Sequence, residues 1–380
     1  MPLLLLFLLC CADPKQPALF PEYDQALELK SRAAAYLWTQ QADDGGWHSR
    51  THGLLKGGAA YTPFLLYHLL EVARSPSRTQ KVATADALRF MREQINSAGA
   101  LGFSDPLLLE YPNYATSYGL RVLTAMSDPV DKDRISQMKT YLRAQQFAGS
   151  RGITAGHAAY GGWGFGEQRL VYGQVGHVDL SHTRRVLQAL RASAGTYDRD
   201  AASAFLAQLQ NRHWLASADT LFYDGGFHYA PAVFLANKGE VTQADSVAVF
   251  HGYATATCDG LLALHALGVN HDAPAVQDAL SWLARHDTLA YPAGIPQDTP
   301  AAWDKVMFFY HLAVRAEVYA TFGWPDGKRT EMHNLLAAHV RVDGSYMNPL
   351  GAPNKENDPL LATTLALAAL HHLTKPMGSP

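Results

Sequence analysis

The chain has 380 residues, of which 48% are hydrophobic, and its 31 lysines and arginines nearly balance its 34 aspartates and glutamates. This balance, without a basic stripe on any predicted helix, excludes nucleic acid as an expected partner. Three cysteines are too few for a disulfide framework. Because no linker rich in serine or proline divides the chain, we predict one large domain over residues 23–373.

An apolar run over residues 3–12 ends in Cys10, Cys11 and Ala12. It is too short to cross a bilayer as a helix but has the length of a signal-peptide core. We therefore expect residues 1–12 to be a signal peptide or lipoprotein signal and the protein to be exported, either periplasmic or membrane-anchored in the cell envelope. Three alternatives stay open: cleavage after Ala12, lipid attachment at Cys10 or Cys11 with tethering to a membrane surface, and an apolar helix docked on the fold.

Twelve helical segments of two kinds alternate along the rest of the chain. Those of the first kind carry a polar face and are predicted outer helices: 23–41, 83–96, 133–146, 199–211, 273–286 and 330–340. Those of the second kind are rich in Ala, Leu, Thr and Tyr and are predicted inner helices: 61–73, 114–126, 181–193, 253–267, 305–321 and 360–373. Strand periodicity does not extend beyond four residues in any segment. The alternation predicts an all-α protein whose helices close into a double ring.

A turn rich in glycine and aromatic residues recurs between outer and inner segments. Its clear copies and one degenerate copy are Asp44-Gly45-Gly46-Trp47, Gly161-Gly162-Trp163, Asp224-Gly225-Gly226-Phe227 and Asp343-Gly344-Ser345-Tyr346. Glycine permits a positive φ between two helices, and the aromatic side chain fills the space beneath the turn. A glutamine near the end of the preceding helix can bond exposed carbonyl groups. Repetition of this kind identifies an architecture before it identifies a reaction.

These repeats resemble those of the terpene cyclases, such as squalene-hopene and oxidosqualene cyclases, and of protein prenyltransferase β-subunits. The resemblance covers about residues 23–373. It implies an (α/α)6 toroid of six outer and six inner helices, with the starts of the inner helices facing a central cavity. The same toroid also occurs in thioester domains of complement-type proteins and in some pectate lyases, so the repeat is more specific for fold than for chemistry.

The segment from His177 to Thr183 is the first candidate for catalysis. Class II terpene cyclases carry an Asp-x-Asp-Asp-Thr motif whose middle Asp donates a proton to an alkene or epoxide. Aligned on that motif, the chain keeps Asp179 and Thr183 but has Ser181 at the proton donor and His182 at the last acid. The resemblance makes Asp179 the candidate acid, with a pKa raised by burial, and His182 the residue that orients it. An ordinary helix cap at Asp179 is the alternative.

Asp259 is the second candidate acid, because a carboxylate among Leu and Ala residues must face a cavity or find a partner. Prenyltransferase β-subunits bind zinc through an Asp-x-Cys pair and a distant His. Here Cys258 and Asp259 are adjacent and in the opposite order, so they would not grip one ion easily. We interpret Cys258 as structural and expect neither a metal nor a cofactor.

Aromatic residues near the turns are the candidate substrate-binding residues, since the resemblance implies rings that line the cavity and stabilise carbocations. They are Tyr61, Trp163, Phe165, Phe227, Tyr229, Tyr253, Phe309 and Tyr310. Packing in the core and plugging of turns is the alternative for each. Gly164-Phe165-Gly166-Glu167-Gln168 mimics a thioester motif, but Phe165 replaces the cysteine that would form the ester.

Three functions follow in order of support. The first is an exported, terpene-cyclase-like protein that binds an apolar isoprenoid or lipid in its cavity and cyclises it by an acid-initiated reaction. The second is a non-catalytic binding or scaffold toroid of the cell envelope, for which the cavity should be filled by side chains. The third is a polysaccharide lyase or hydrolase that uses the groove at the toroid mouth, where few basic residues apart from Arg169, Arg184 and Arg185 are available. Prenyl-diphosphate transfer ranks last, because no basic cluster is evident.

Overall fold

The computed structural model describes residues 19–73, 75–103, 110–167, 170, 174, 176–215, 220–231, 236–244 and 247–376. The predicted signal segment, residues 1–12, lies outside this range, as does Arg169. Among the helices of the described part, none combines the length and apolar character needed to span a membrane.

Helices in the described residues form two concentric sets. The outer set consists of α1 (Tyr23–Thr39), α3 (Arg78–Gln94), α5 (Lys132–Ala144), α7 (Arg199–Leu209), α9 (Pro274–Arg285) and α12 (Lys328–His339). The inner set consists of α2 (Tyr61–Val72), α4 (Pro112–Met126), α6 (Leu180–Ala192), α8 (Ala254–Ala266), α11 (Phe308–Phe322) and α13 (Pro359–Thr374). A short helix, α10 (Trp303–Val306), precedes α11. Each inner helix contacts the next, and α13 returns to α2, so the inner ring is closed. The predicted all-α (α/α)6 toroid is confirmed, with helix ends shifted by a few residues.

Each repeat turn joins its own helix pair to the next outer helix through a glycine. At Gly161, with φ of +88°, a Cβ atom would lie 1.8 Å from the carbonyl oxygen of Ala201 in α7. At Gly344, with φ of +85°, it would lie 2.8 Å from the carbonyl oxygen of Arg32 in α1. Only glycine allows both the positive φ and this close approach. The last turn therefore packs on the first outer helix and closes the outer ring.

Side-chain hydrogen bonds make the same turn rigid. The Gln146 amide donates to the carbonyl oxygens of Gly161, at 3.1 Å, and Asp198, at 2.8 Å, and so ties the turn to the start of α7. The backbone N–H of the turn aromatic donates to a threonine hydroxyl near the start of the following inner helix. This bond measures 3.0 Å for Trp47 to Thr62 and 3.0 Å for Trp163 to Thr183. The aromatic, the turn and the inner helix are thus fixed together.

Thr62→Val tests this bond, because valine keeps the side-chain shape but leaves the Trp47 N–H without its acceptor. Thr62 is fully buried, and an unsatisfied buried donor costs about 1–3 kcal/mol. We expect this loss in the free energy of unfolding, measured by urea denaturation. Thr140→Val on the exposed face of α5 is the control and should change stability by less than about 0.5 kcal/mol. Equal stability of wild type and Thr62→Val would show that the bond is not structural.

Strands are the part of the fold that the sequence underpredicted. Among the residues that the structure describes between α5 and α8, three antiparallel pairs are found: β1 (Trp163–Gly164) with β2 (Val178–Asp179), β3 (Gln210–Leu215) with β4 (Thr220–Phe227), and β5 (Val241–Ala244) with β6 (Val247–Phe250). The outer helix predicted to run to 211 ends at Leu209, and β3 begins at the next residue. Each pair is an isolated hairpin, so no shared sheet face imposes a long alternation on the sequence. The hairpins leave the helical architecture unchanged and extend the wall at the end where inner helices start.

Candidate functional site

A cavity of about 470 Å³ lies inside the ring, at the end where the inner helices begin. Its wall includes residues from the first turns of inner helices, among them Tyr61, Tyr114, His182, Asp259, Tyr310 and Leu361. The volume falls in the range of about 300–1,000 Å³ that is typical of small-molecule sites. The wall is predominantly apolar and aromatic. Because the cavity is open space rather than packed side chains, the structure lacks the feature expected of a purely structural toroid.

The predicted substrate-binding aromatics separate into two groups. Five of them line the cavity: Tyr61, Phe165, Tyr229, Tyr253 and Tyr310. The other three, Trp163, Phe227 and Phe309, are fully buried and lie outside the cavity wall. Trp163 donates from its indole nitrogen to the carbonyl oxygen of Leu142 at 2.7 Å, as expected of a ring that plugs a turn. The aromatic residue directly after the paired glycines therefore fills the space between helices, as Trp163 and Phe227 do, and Phe309 is a ring at an inner helix start that also packs in the core.

Asp179 caps α6 and holds His182. One carboxylate oxygen accepts from the backbone N–H of His182 at 2.9 Å and from the Ser181 hydroxyl at 3.0 Å. The other accepts from His182 Nδ1 at 2.8 Å. Burial alone would raise the pKa of Asp179, but the charge and hydrogen bonds of His182 outweigh it and hold that pKa at about 2. Asp179 is thus a buried carboxylate, so the expectation of a raised pKa is wrong, while the alternative of a cap agrees with the geometry.

His182 presents the reactive atom of this pair. Because an ionised Asp179 accepts at Nδ1, that nitrogen carries a proton, which leaves Nε2 as an acceptor in neutral His and a donor in the imidazolium. His182 lines the cavity, and its Nε2 is buried without a hydrogen-bond partner among the described residues. Edge contacts from Phe165, at 4.9 Å, and Tyr114, at 5.5 Å, fix the plane of the ring. The arrangement is that of a general acid or base oriented by a carboxylate.

A second hydrogen-bond chain links Asp179 to Tyr229 in the cavity wall. Ser181 Oγ, which donates to Asp179, lies 3.1 Å from the hydroxyl of Tyr229. Because the Ser181 proton is committed to Asp179, Tyr229 is the donor in this contact. The serine that replaces the expected acid therefore acts as a link between a cavity-lining tyrosine and the buried carboxylate.

Asp259 lies at the floor of the cavity and is part of a buried ionic cluster. Its oxygens accept from Arg184 Nη1 at 2.5 Å and from the Tyr310 hydroxyl at 2.7 Å. Arg184 also pairs with Glu317, and the Arg185 guanidinium lies 5.4 Å from the centre of the Tyr118 ring. Burial raises the pKa of Asp259 against the opposing charge of Arg184. Each oxygen accepts one hydrogen bond from the protein, so Asp259 holds Arg184 and Tyr310 in place. Cys258 beside it is buried, and burial raises the pKa of its thiol to about 12, which suits a structural role.

Glu356 caps the inner helix that supplies Tyr310. Its two oxygens accept from the backbone N–H groups of Phe309 and Tyr310, both at 2.9 Å. Burial raises the pKa of Glu356 from 4.5 to about 7. The folded protein therefore binds more protons than the unfolded chain between these two pH values, and this group lowers the free energy of unfolding as the pH rises through that window.

Glu356→Gln tests this titration, because glutamine keeps the size of the side chain and does not ionise. We expect the stability difference, wild type minus variant, to fall by on the order of 3 kcal/mol between about pH 5 and about pH 8. Denaturant unfolding at a series of pH values measures it. Glu93→Gln on the exposed face of α3 is the matched control. A difference that stays constant over this range would contradict the assignment.

The sequence did not point to three residues at the mouth of the cavity. Tyr111 and Lys355 have left-handed backbone, with φ of +47° and +64°, and Lys238 lies in the connection between β4 and β5. All three line the cavity. No motif marks these residues, and their roles depend on distant parts of the chain meeting. The left-handed conformation of two non-glycine residues is a signal that only coordinates reveal.

Solved structures of other proteins share the fold of this chain. No protein-family model and no curated protein matches the chain. Among solved structures, type II terpene cyclase MstE from Scytonema matches with a TM-score of 0.57, 14% identity and coverage of 92% of this chain and 98% of that chain. An MstE variant in complex with geranylgeranyl dihydroxybenzoate, its substrate, matches with a TM-score of 0.57 and 15% identity, covering 93% of this chain and 99% of that chain.

A carbohydrate-active enzyme has the same architecture. The GH76A alpha-1,6-mannanase from Salegentibacter sp. HEL1_6 matches with a TM-score of 0.56, 11% identity and coverage of 92% of this chain and 98% of that chain. The chain has the same toroid fold as these solved structures. The predicted resemblance is confirmed for fold. At these identities the likeness does not carry substrate or reaction to this chain, and both kinds of neighbour are enzymes.

Proposed function

We propose that the protein binds an apolar isoprenoid or similar lipid in the central cavity and transfers a proton to it from His182. The observation that carries the proposal is His182, which is oriented by Asp179 and whose Nε2 has no hydrogen-bond partner among the described residues, in the wall of a predominantly apolar and aromatic cavity. A long apolar ligand can bury its chain against such a wall, with its reacting group next to the His182 side chain. MstE, a type II terpene cyclase, has the same fold, so a toroid of this kind can carry out such a reaction.

The chemistry follows from the acidity of the donor. An imidazolium, with an ordinary pKa of about 6.5, is a weaker acid than a carboxylic acid, with about 3.9. It therefore suits an oxygen that is already basic, such as that of an epoxide, better than a plain alkene. The Nε2 proton moves to the epoxide oxygen as the C–O bond breaks, and a neighbouring alkene attacks the carbon to form a ring. The faces of Tyr61, Tyr253 and Tyr310 stabilise the resulting carbocation. Loss of a proton from this carbocation to water gives a neutral cyclic alcohol with the mass of the epoxide, and water returns a proton to His182 Nε2.

Glycoside hydrolysis is the second candidate, since GH76A has the same fold. That chemistry needs two carboxyl groups about 5–10 Å apart across the scissile bond. Among the described residues, Asp259 is the one carboxylate in the cavity wall, and Arg184 and Tyr310 occupy its oxygens. The isoprenoid proposal is therefore the better supported of the two.

Incubation with the terminal epoxides of farnesol and geranylgeraniol, and separately with alpha-1,6-mannotriose, tests the two candidates. Mass spectrometry of the protein detects bound lipid, and chromatography of the extract detects a cyclic isomer of unchanged mass. We expect lipid binding and isomerisation, without cleavage of the trisaccharide. Trisaccharide cleavage, or the failure of every lipid to bind, would overturn the proposal.

A further inference from the structure

The mouth of the cavity has two lysines placed above aromatic rings. Lys238 Nζ lies 4.6 Å from the centre of the Trp303 ring and 5.5 Å from that of Tyr229. Lys355 Nζ lies 5.3 Å from the centre of the Tyr111 ring. Both lysines line the same cavity as His182. A cation over a ring face has fewer contacts with water. Its attraction for an anion that enters the cavity is therefore stronger than in bulk water.

The two lysines belong to one sector of the rim. Trp303, beneath Lys238, begins α10, and α10 packs on the 3-10 turn Ala352–Asn354 that leads directly to Lys355. Asn354 also lines the cavity. The ring of Tyr111, beneath Lys355, lies 6.2 Å from that of His182. The positive charges therefore lie on the side of the cavity where His182 presents Nε2, and an anion bound there places the rest of its molecule in the apolar interior.

The backbone that carries this sector is held in specific conformations. Tyr111 and Lys355 both have left-handed φ values, which cost free energy in residues other than glycine. Lys238 follows Asn237, whose side chain accepts from the Tyr229 N–H at 2.7 Å and donates to the Ala230 carbonyl oxygen at 2.8 Å. The loop that carries Lys238 is thus tied to the loop that carries Tyr229. The left-handed backbone and the Asn237 hydrogen bonds thus define the backbone positions from which the two lysines extend.

From this placement we infer that the ligand of the cavity is an amphipathic isoprenoid or lipid with an anionic head group, a carboxylate or a phosphate, held by Lys238 and Lys355. This inference rests on the proposed function, because it assigns the head of the same ligand. A lysine ammonium binds an oxyanion as a compact charge with three donors. Burial lowers the pKa of Lys238 to about 8, so its share of the binding declines as the pH rises above that value.

Three ligands that share the geranylgeranyl hydrocarbon chain and differ in head group test the inference: geranylgeranoic acid, geranylgeranyl monophosphate and the neutral geranylgeraniol. Calorimetric titration should show at least one anion binding about 10-fold or more tightly than the alcohol, as a charge-assisted hydrogen bond provides. Which anion binds better tells a carboxylate head from a phosphate. In Lys238→Met/Lys355→Met the advantage of the anion should disappear, while the affinity for the alcohol stays within about twofold.

Lys132→Met, on the exposed N-terminal turn of α5, is the control and should preserve the preference. Thermal unfolding confirms that the variants fold. Equal affinity of wild type for the alcohol and both anions would overturn this inference and leave the proposed function standing. A preference that survives in the double variant would overturn the assignment to these lysines. Failure of all three ligands to bind would overturn the proposed function and the inference with it.

Discussion

Replacement of His182 by phenylalanine is expected to lower epoxide turnover by about 10²–10⁴-fold, the usual contribution of general acid–base catalysis. Phenylalanine keeps a planar ring against Phe165 and Tyr114 but removes both nitrogens. Binding of the apolar ligand should persist, because the apolar walls stay in place. Steady-state turnover and calorimetric affinity, measured on the same preparation, separate the two effects.

Asp179→Asn tests independently whether His182 Nε2 donates the proton. Asparagine can still cap α6 through its oxygen, but its amide then faces His182 Nδ1, so the imidazole must carry its proton on Nε2 when neutral. The carboxylate that stabilises the imidazolium is also lost. We expect a fall in turnover comparable to that of His182→Phe, measured by the same steady-state assay. His271→Phe is a control: His271 is exposed and follows α8, whose far end lies away from the cavity. Full turnover in His182→Phe would remove His182 from the reaction.

Arg184→Met is expected to lower the free energy of unfolding by about 3–5 kcal/mol at neutral pH, the usual result of removing one partner from a buried ionic cluster. Arg184 has no solvent exposure, and its guanidinium pairs with both Asp259 and Glu317. Without it, Asp259 keeps the Tyr310 hydroxyl and Glu317 keeps the Gln188 amide at 2.7 Å. Two carboxylates would then lie in the interior with weaker compensation.

The double variant Arg184→Met/Asp259→Asn distinguishes charge from packing. If unpaired charge causes the loss, removing the Asp259 charge should recover at least about 1 kcal/mol relative to Arg184→Met. Urea denaturation measures all three proteins. Arg89→Met on α3, where the partners Asp86 and Glu93 are about half exposed, is the matched control and should cost less than about 1 kcal/mol. A loss in Arg184→Met no greater than in Arg89→Met would contradict a structural role for the cluster.

The sequence predicted the closed ring of helices but not the buried ionic cluster inside it. Gly-Gly-aromatic turns recur because each must pass close to the next outer helix, so local pattern carries the architecture. The segment around Asp179 and His182 could be found for the same reason, since it opens an inner helix. The ionic cluster could not, because Arg184 and Glu317 lie 133 positions apart and meet only when the ring closes. Burial by itself would raise the pKa of Asp179, as an acid at this place requires, whereas a histidine three residues later reverses the shift.

Aromatic residues show the same limit. A ring after the glycines and a ring at an inner helix start look alike in sequence, yet Trp163 plugs a turn and Tyr61 faces the cavity. The difference depends on the direction of each side chain relative to the ring axis, which is set by helix register. Lys238, Lys355 and Tyr111 had no local pattern at all. Their positions follow from loops between helices, the segments whose geometry depends most on long-range contacts.

A crystal structure with a geranylgeranyl lipid bound tests the central claim most directly. The account predicts electron density for the chain inside the ring, in contact with Tyr61 and Tyr310, and a functional group of the lipid within hydrogen-bond distance of His182 Nε2. Density for the lipid only on the outer surface, or inner helices that move to fill the cavity and leave no room for it, would contradict the account.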